Sequence, residues 1–215
     1  MIFADREDAG RQLAIAVKGR LHEAEDVIVV GLPRGGVIVA REVAHLLRKP
    51  LDLVVVRKIG APGIEELAIG AVGETGIPIL NYAVIKSNGI PTGYLTHAIQ
   101  AARQEVERRL GAYRAGARPD VRQKTVVLVD DGIATGYTVE AAIATLREWG
   151  ARRIVLAVPV APRDAVTRFQ GLADDVVVLH APHEFYAVGQ FYQDFPDVSD
   201  NKVTAALSSL SAGVT

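Results

Sequence analysis

The segment from Val126 to Thr138 constrains this chain more than any other. Val126-Val127-Leu128-Val129 is an unbroken aliphatic run rich in β-branched residues, and it reads as a strand buried on both faces. Asp130 and Asp131 end the run, and Gly132-Ile133-Ala134-Thr135-Gly136 follows as a loop of mostly small residues. Thr138 to Trp149 then reads as a helix stopped by Gly150. A two-sided buried strand that passes through a tight loop into a helix belongs to a βαβ crossover, the connection that parallel strands require.

The same pattern recurs. Val27 to Val30 reads as a buried strand, Gly31 to Gly36 as a break, Val37 to Leu47 as a helix and Leu51 to Val56 as a second buried strand. Arg153 to Val160 completes the later βαβ unit, and Asp175 to Leu179 adds one more strand. Near the start, Asp5 is placed to cap a helix from Arg6, with Ala9, Leu13, Ala16 and Val17 on one face. The middle is less regular. Arg57 to Glu74 is glycine-rich and interrupted by Pro62, Ile77 to Ile85 has room for one or two short strands, and Leu95 to Arg114 is helical. Arg118 to Lys124 is a basic loop, Ala181 to Asp200 an irregular aromatic-rich stretch, and Asn201 to Leu210 a last helix.

The expected fold is therefore α/β: a mostly parallel twisted sheet flanked by helices on both faces. Residues 1–215 are expected to form a single domain. A flexible loop and helix region is inserted at about 59–124, and a small irregular hood-like segment occupies about 181–215. In such sheets ligands bind beyond the carboxyl ends of the strands.

Composition excludes several chemistries. The chain has no cysteine, so disulfides, thiolate zinc sites and cysteine nucleophiles are ruled out. The formal net charge of -1 gives no global attraction to nucleic acid or to an anionic membrane. No apolar stretch approaches the roughly 20 residues that span a bilayer. The first residues are charged early and show no apolar leader, so a cytoplasmic location is the default expectation.

What the Val126–Thr138 segment offers is specific. Glycines let the backbone turn and expose N–H groups, and Thr135 and Thr138 add hydroxyls. Backbone N–H groups at the following helix N-terminus suit a phosphate. The two carboxylates repel a phosphate but accept hydrogen bonds from sugar hydroxyls. A phosphate cradle beside two hydroxyl acceptors describes a receptor for ribose 5-phosphate.

These thirteen residues resemble the 5-phosphoribosyl-1-pyrophosphate (PRPP) signature of type I phosphoribosyltransferases. The resemblance implies that Asp130 and Asp131 hold the ribose 2′- and 3′-hydroxyls. It implies that Gly132, Ile133, Ala134, Thr135, Gly136, Tyr137 and Thr138 wrap the 5-phosphate. The loop Gly31-Leu32-Pro33-Arg34-Gly35-Gly36 lacks the endings of a P-loop or a dinucleotide site. In the resembled family its equivalent binds pyrophosphate, with Arg34 as charged donor and Gly35 and Gly36 allowing close approach. Arg57-Lys58 is similar to a pair that approaches pyrophosphate in some adenine and uracil enzymes. Phe3-x-Asp5-Arg6, Val56-Arg57-Lys58-x-Gly60-x-Pro62 and Gly70-Ala71-Val72-Gly73-Glu74 extend the resemblance to a family of predicted bacterial phosphoribosyltransferases. That family usually carries Asn-Pro-Glu where this chain has Ile64-Glu65-Glu66.

The resemblance also implies transfer of the 5-phosphoribosyl group to a nitrogenous base, with Mg2+ on pyrophosphate and ribose oxygens. Arg34, Arg57 and Lys58 would stabilise the leaving pyrophosphate. Ala134 stands where 6-oxopurine enzymes carry an aspartate, which weighs against a 6-oxopurine acceptor. Phe185 is the candidate to stack on the acceptor and Asp194 the candidate near the metal, although their spacing is one residue off the purine-enzyme pattern, and packing of this aromatic-rich segment against the sheet edge is an equal reading. The sequence assigns no general base, and Glu66 and Glu74 are the carboxylates it offers for one. A homodimer is compatible with the family. Two other readings stay open: a PRPP-sensing regulator without turnover, and a hydrolase of phosphoribosyl compounds. The basic residues from Arg103 to Lys124 contain a single aromatic, Tyr113, which fits a solvated helix and loop better than a nucleic-acid surface.

Overall fold

The structure is a computed structural model that describes residues 2–22, 26–114 and 119–211, without the side chains of residues 65, 66, 210 and 211. Its core is a sheet built from the aliphatic runs. The strands are β1 (Val27–Gly31), β2 (Leu51–Leu53), β6 (Thr125–Val129), β7 (Arg153–Val160) and β8 (Asp175–His180), in spatial order β2-β1-β6-β7-β8. Every neighbouring pair is parallel. Both β1 and β6 are buried along their whole length, as their lack of alternation requires.

Successive residues of these strands face opposite sides. Val27, Val29, Val127 and Val129 pack on α1 (Arg6–Lys18) and α2 (Gly35–Leu47) through Leu13, Val17, Val39 and Val43. Ile28, Val30, Val126 and Leu128 pack on α5 (Tyr137–Glu148) and α6 (Arg163–Phe169) through Ala142, Leu146, Ala165 and Phe169. Asp5 caps α1 by accepting the Asp8 N–H at 2.7 Å.

Three expectations are corrected. Leu51 to Val56 is not one strand. It divides into β2 in the core sheet and β3 (Val56–Ala61) in a second, antiparallel sheet. That sheet, β3-β4-β5, also contains β4 (Ile64–Gly73) and β5 (Pro78–Leu80), so the glycine-rich stretch is largely paired strand. Its small residues are packing positions: Gly73 lies against Thr145 of α5. The strand character expected from Ile77 to Ile85 ends at Leu80. Asn81 accepts the Val84 N–H at 3.0 Å and starts a short helix, α3 (Tyr82–Ser87), in place of further strand.

The helix expected at Leu95 to Arg114 is α4 (Thr92–Tyr113), and the last helix is α7 (Asp200–Ser211). No helix among the described residues is long and apolar enough to cross a membrane.

Candidate active site

From β1 the chain crosses to β2 on one side, then returns through β6 on the other side of β1. The winding direction reverses between β1 and β6, and the crevice beyond their carboxyl ends is where such sheets bind ligands. The loop after β1 carries Arg34, Gly35 and Gly36, and the loop after β6 carries Asp130 to Gly136. The Pro33–Arg34 peptide bond is cis.

The two loops are pressed together. A Cβ on Gly36 would lie 2.7 Å from Asp130 Oδ1 and 2.9 Å from the Val129 carbonyl oxygen, closer than side chains approach. Gly35 abuts the Asp131 carboxylate in the same way. Gly136 has φ 78° and caps α5, with the Phe169 ring beside it. No described side chain caps this helix, so its first N–H groups remain available to an anion.

A cavity of about 200 Å³ opens at this point. Asp130, Gly132, Ile133, Ala134, Thr135, Gly136 and Thr138 line it, with Lys58 and Val188 from other parts of the chain. Ile133 contributes backbone, because its side chain is buried in the core and its N–H donates to the Val160 carbonyl at 2.9 Å. Tyr137 also turns to the core, with the Arg168 guanidinium 5.3 Å from its ring centre. Arg168 donates to the Thr135 carbonyl at 3.1 Å and so braces the loop from α6.

Asp130 and Asp131 differ in their partners. The Asp131 N–H donates to Asp130 Oδ1 at 2.9 Å, and Arg6 Nε donates to Asp131 Oδ2 at 2.7 Å. Burial, and then the adjacent charge of Asp131, push the Asp130 carboxyl well above its ordinary range. Burial raises Asp131 as well, but the Arg6 cation opposes it.

The structure separates two residues that the sequence pairs. Lys58 lies opposite Ala71 in the antiparallel register, and Ala71 packs in the α5-side core. Arg57 lies opposite Val72, which packs with α4. Arg57 therefore lines a separate cavity of about 500 Å³ with Tyr94, Ala98 and Glu105, and Lys58 lines both cavities. Arg34 occupies the N-cap position of α2 without a capping side-chain bond, and its guanidinium lies 4.0 Å from Asp200.

Phe185 and Asp194 do not join the Asp130 loop. Phe185 stacks on Phe191 with ring centres 5.4 Å apart. Asp194 lines a different groove with Asp5 and Arg6. Val188 is the residue of this segment that reaches the cavity. Glu74 is committed elsewhere: it accepts from Arg114 at 2.8 Å and from the Val55 N–H at 2.8 Å. The Glu66 side chain and Arg118 lie outside the described residues. Arg6, Arg168 and Val188 went unassigned from sequence. Only Arg6 left a trace there, as a cation in the first turn of a helix, where the dipole disfavours one.

Comparison with known proteins defines the class. The family model of the phosphoribosyl transferase domain matches residues 4–190, and the chain belongs to that family. The crystal structure of TT1426 from Thermus thermophilus is 43% identical, with a TM-score of 0.80 over 98% of this chain and 99% of that one. Rv0571c of Mycobacterium tuberculosis, named provisionally as a phosphoribosyl transferase, is 46% identical over 207 residues, 96% of this chain. This chain spans 46% of that relative's length. The uracil phosphoribosyltransferase of Mycoplasma mycoides is 28% identical over 109 residues, 49% of this chain and 52% of that protein.

Proposed function

We propose that the chain binds PRPP and transfers its 5-phosphoribosyl group to a nitrogenous base or related nucleophile, releasing pyrophosphate. The observation that carries this reading is the meeting of the Asp130 carboxylate with a helix N-terminus in one cavity at the β1/β6 reversal, with Asp131 adjacent to Asp130 but outside the cavity lining. N–H groups at the start of α5, with Thr135 and Thr138, take the 5-phosphate. Asp130 and Asp131 accept hydrogen bonds from the ribose hydroxyls. The C1–oxygen bond to pyrophosphate breaks, the nucleophile's nitrogen bonds to C1, and the nucleophile gives up a proton. Lys58 and Arg34 stabilise charge growing on the pyrophosphate, and Arg57 supports them from the neighbouring cavity. Val188 and Ala134 form the apolar rim on the acceptor side.

Among the described residues, no group of three or more His, Cys, Asp or Glu could hold a metal. The Asp130–Asp131 pair still fits Mg2+ arriving on PRPP, since Mg2+ keeps waters and substrate oxygens and needs few protein ligands. When bound, Mg2+ neutralises charge on the pyrophosphate.

The test is release of pyrophosphate from PRPP and Mg2+ across a panel of bases. Base-dependent release supports transfer. Release without any base favours hydrolysis, and binding without release favours a sensor.

A further inference from the structure

Arg6 is 9% exposed and lies 125 residues from its partner in sequence. Its Nε donates to Asp131 Oδ2 at 2.7 Å, and its Nη1 donates to the Pro196 carbonyl at 2.8 Å. The Phe195 ring centre is 3.7 Å from its guanidinium carbon. The Tyr192 hydroxyl donates to the Asp131 carbonyl at 2.6 Å. Asp131 is thus held at its side chain by the start of α1 and at its backbone by the aromatic segment that follows β8.

We propose that Arg6 is a positioning residue for sugar recognition: it holds Asp131 as an oriented hydroxyl acceptor, with Phe195 and Pro196 fixing the guanidinium. This rests on the ribose-binding role proposed above for Asp131. The physical reason is geometric. Arg6 Nε occupies Asp131 Oδ2 and leaves Oδ1 for the ligand, while the Pro196 carbonyl and the Phe195 ring hold the planar guanidinium in one orientation. Arg6 gains nothing for its own helix, where a cation in the first turn is disfavoured.

The test compares binding of ribose 5-phosphate with its deoxy analogue, the 2-deoxy or 3-deoxy form, whichever is the one that Asp131→Asn no longer discriminates, and with inorganic pyrophosphate as control. Wild-type protein is expected to favour the ribose form by about tenfold or more, because the analogue leaves a buried acceptor unpaired. Arg6→Met is expected to bring that ratio below about threefold while pyrophosphate affinity stays within about twofold. Arg6→Lys keeps the charge without the fork, and should fall between. A wild-type ratio retained in Arg6→Met overturns the role of Arg6 and leaves the proposed function standing. If Arg6→Met does not fold, Arg6→Lys decides, and an unchanged ratio there overturns the role. A wild-type protein that binds neither sugar phosphate overturns both this role and the ribose-site reading.

Discussion

The loop after β6 and the β3–β4 hairpin face one crevice but are built differently. The β6 loop is held from every side: by Gly35 and Gly36, by Arg6 and Tyr192, by Arg168, and by the buried Ile133. The hairpin carries the exposed Arg57 and the half-buried Lys58 on a short sheet whose register shifts near Gly60. A carboxylate pair that reads hydroxyls needs fixed geometry, which a braced loop supplies. Cations that meet a leaving group act over a longer range and tolerate a looser scaffold.

Substitutions can break or sharpen that contrast. The largest effect is expected at Gly36→Ala, where a Cβ meets Asp130 and the β6 strand end. It should destabilise the fold by about 2–3 kcal/mol and abolish PRPP binding, read by denaturant unfolding and calorimetry. Lys58→Ala should weaken PRPP binding by about tenfold, near 1.4 kcal/mol, with little change in melting temperature. Loss of the fold in Lys58→Ala would erase the distinction between the two regions.

Asp130→Asn should stabilise the protein while impairing binding. Because the folded Asp130 carboxyl titrates above its ordinary 3.8, the folded chain keeps a proton that the unfolded chain loses. That contribution is complete below about 3.8 and is lost as pH rises through the raised folded value. At neutral pH the substitution is expected to raise Tm by about 2–4 °C, the equivalent of about 1 kcal/mol, in a thermal melt. The smallest effect is expected at Arg57→Ala, about twofold or less on PRPP binding, since its side chain lies on the α4 face. An effect equal to that of Lys58→Ala would show that both cations reach the same ligand.

Local chemistry explains what was legible in the sequence. The β6 loop announces itself because its strand, acids, glycines and helix are contiguous, and the parallel core follows from aliphatic runs spaced by helices. The β3–β5 sheet was hidden because Gly60, Gly70 and Gly73 look like turn residues, yet they are paired strand positions, and Gly70 and Gly73 pack closely on β5 and α5. α6 is seven residues long and offers too few turns for a helical period to show. Arg6 and Val188 act across large sequence separations: nothing near Val188 in the chain marks its role, and Arg6 shows only as a cation in a helix's first turn within the Phe3-x-Asp5-Arg6 motif, with no sign there of its partner Asp131.

The central claim is that the two carboxylates and the α5 N-terminus form a PRPP site. Calorimetric titration of PRPP with Mg2+ into the wild-type protein, beside the Asp130→Asn, Asp131→Asn double variant, tests it most directly. Saturable binding to the wild type that the double variant loses is the predicted result. No binding to the wild type at about millimolar PRPP, where a binding free energy of about -4 kcal/mol would already register, would contradict it.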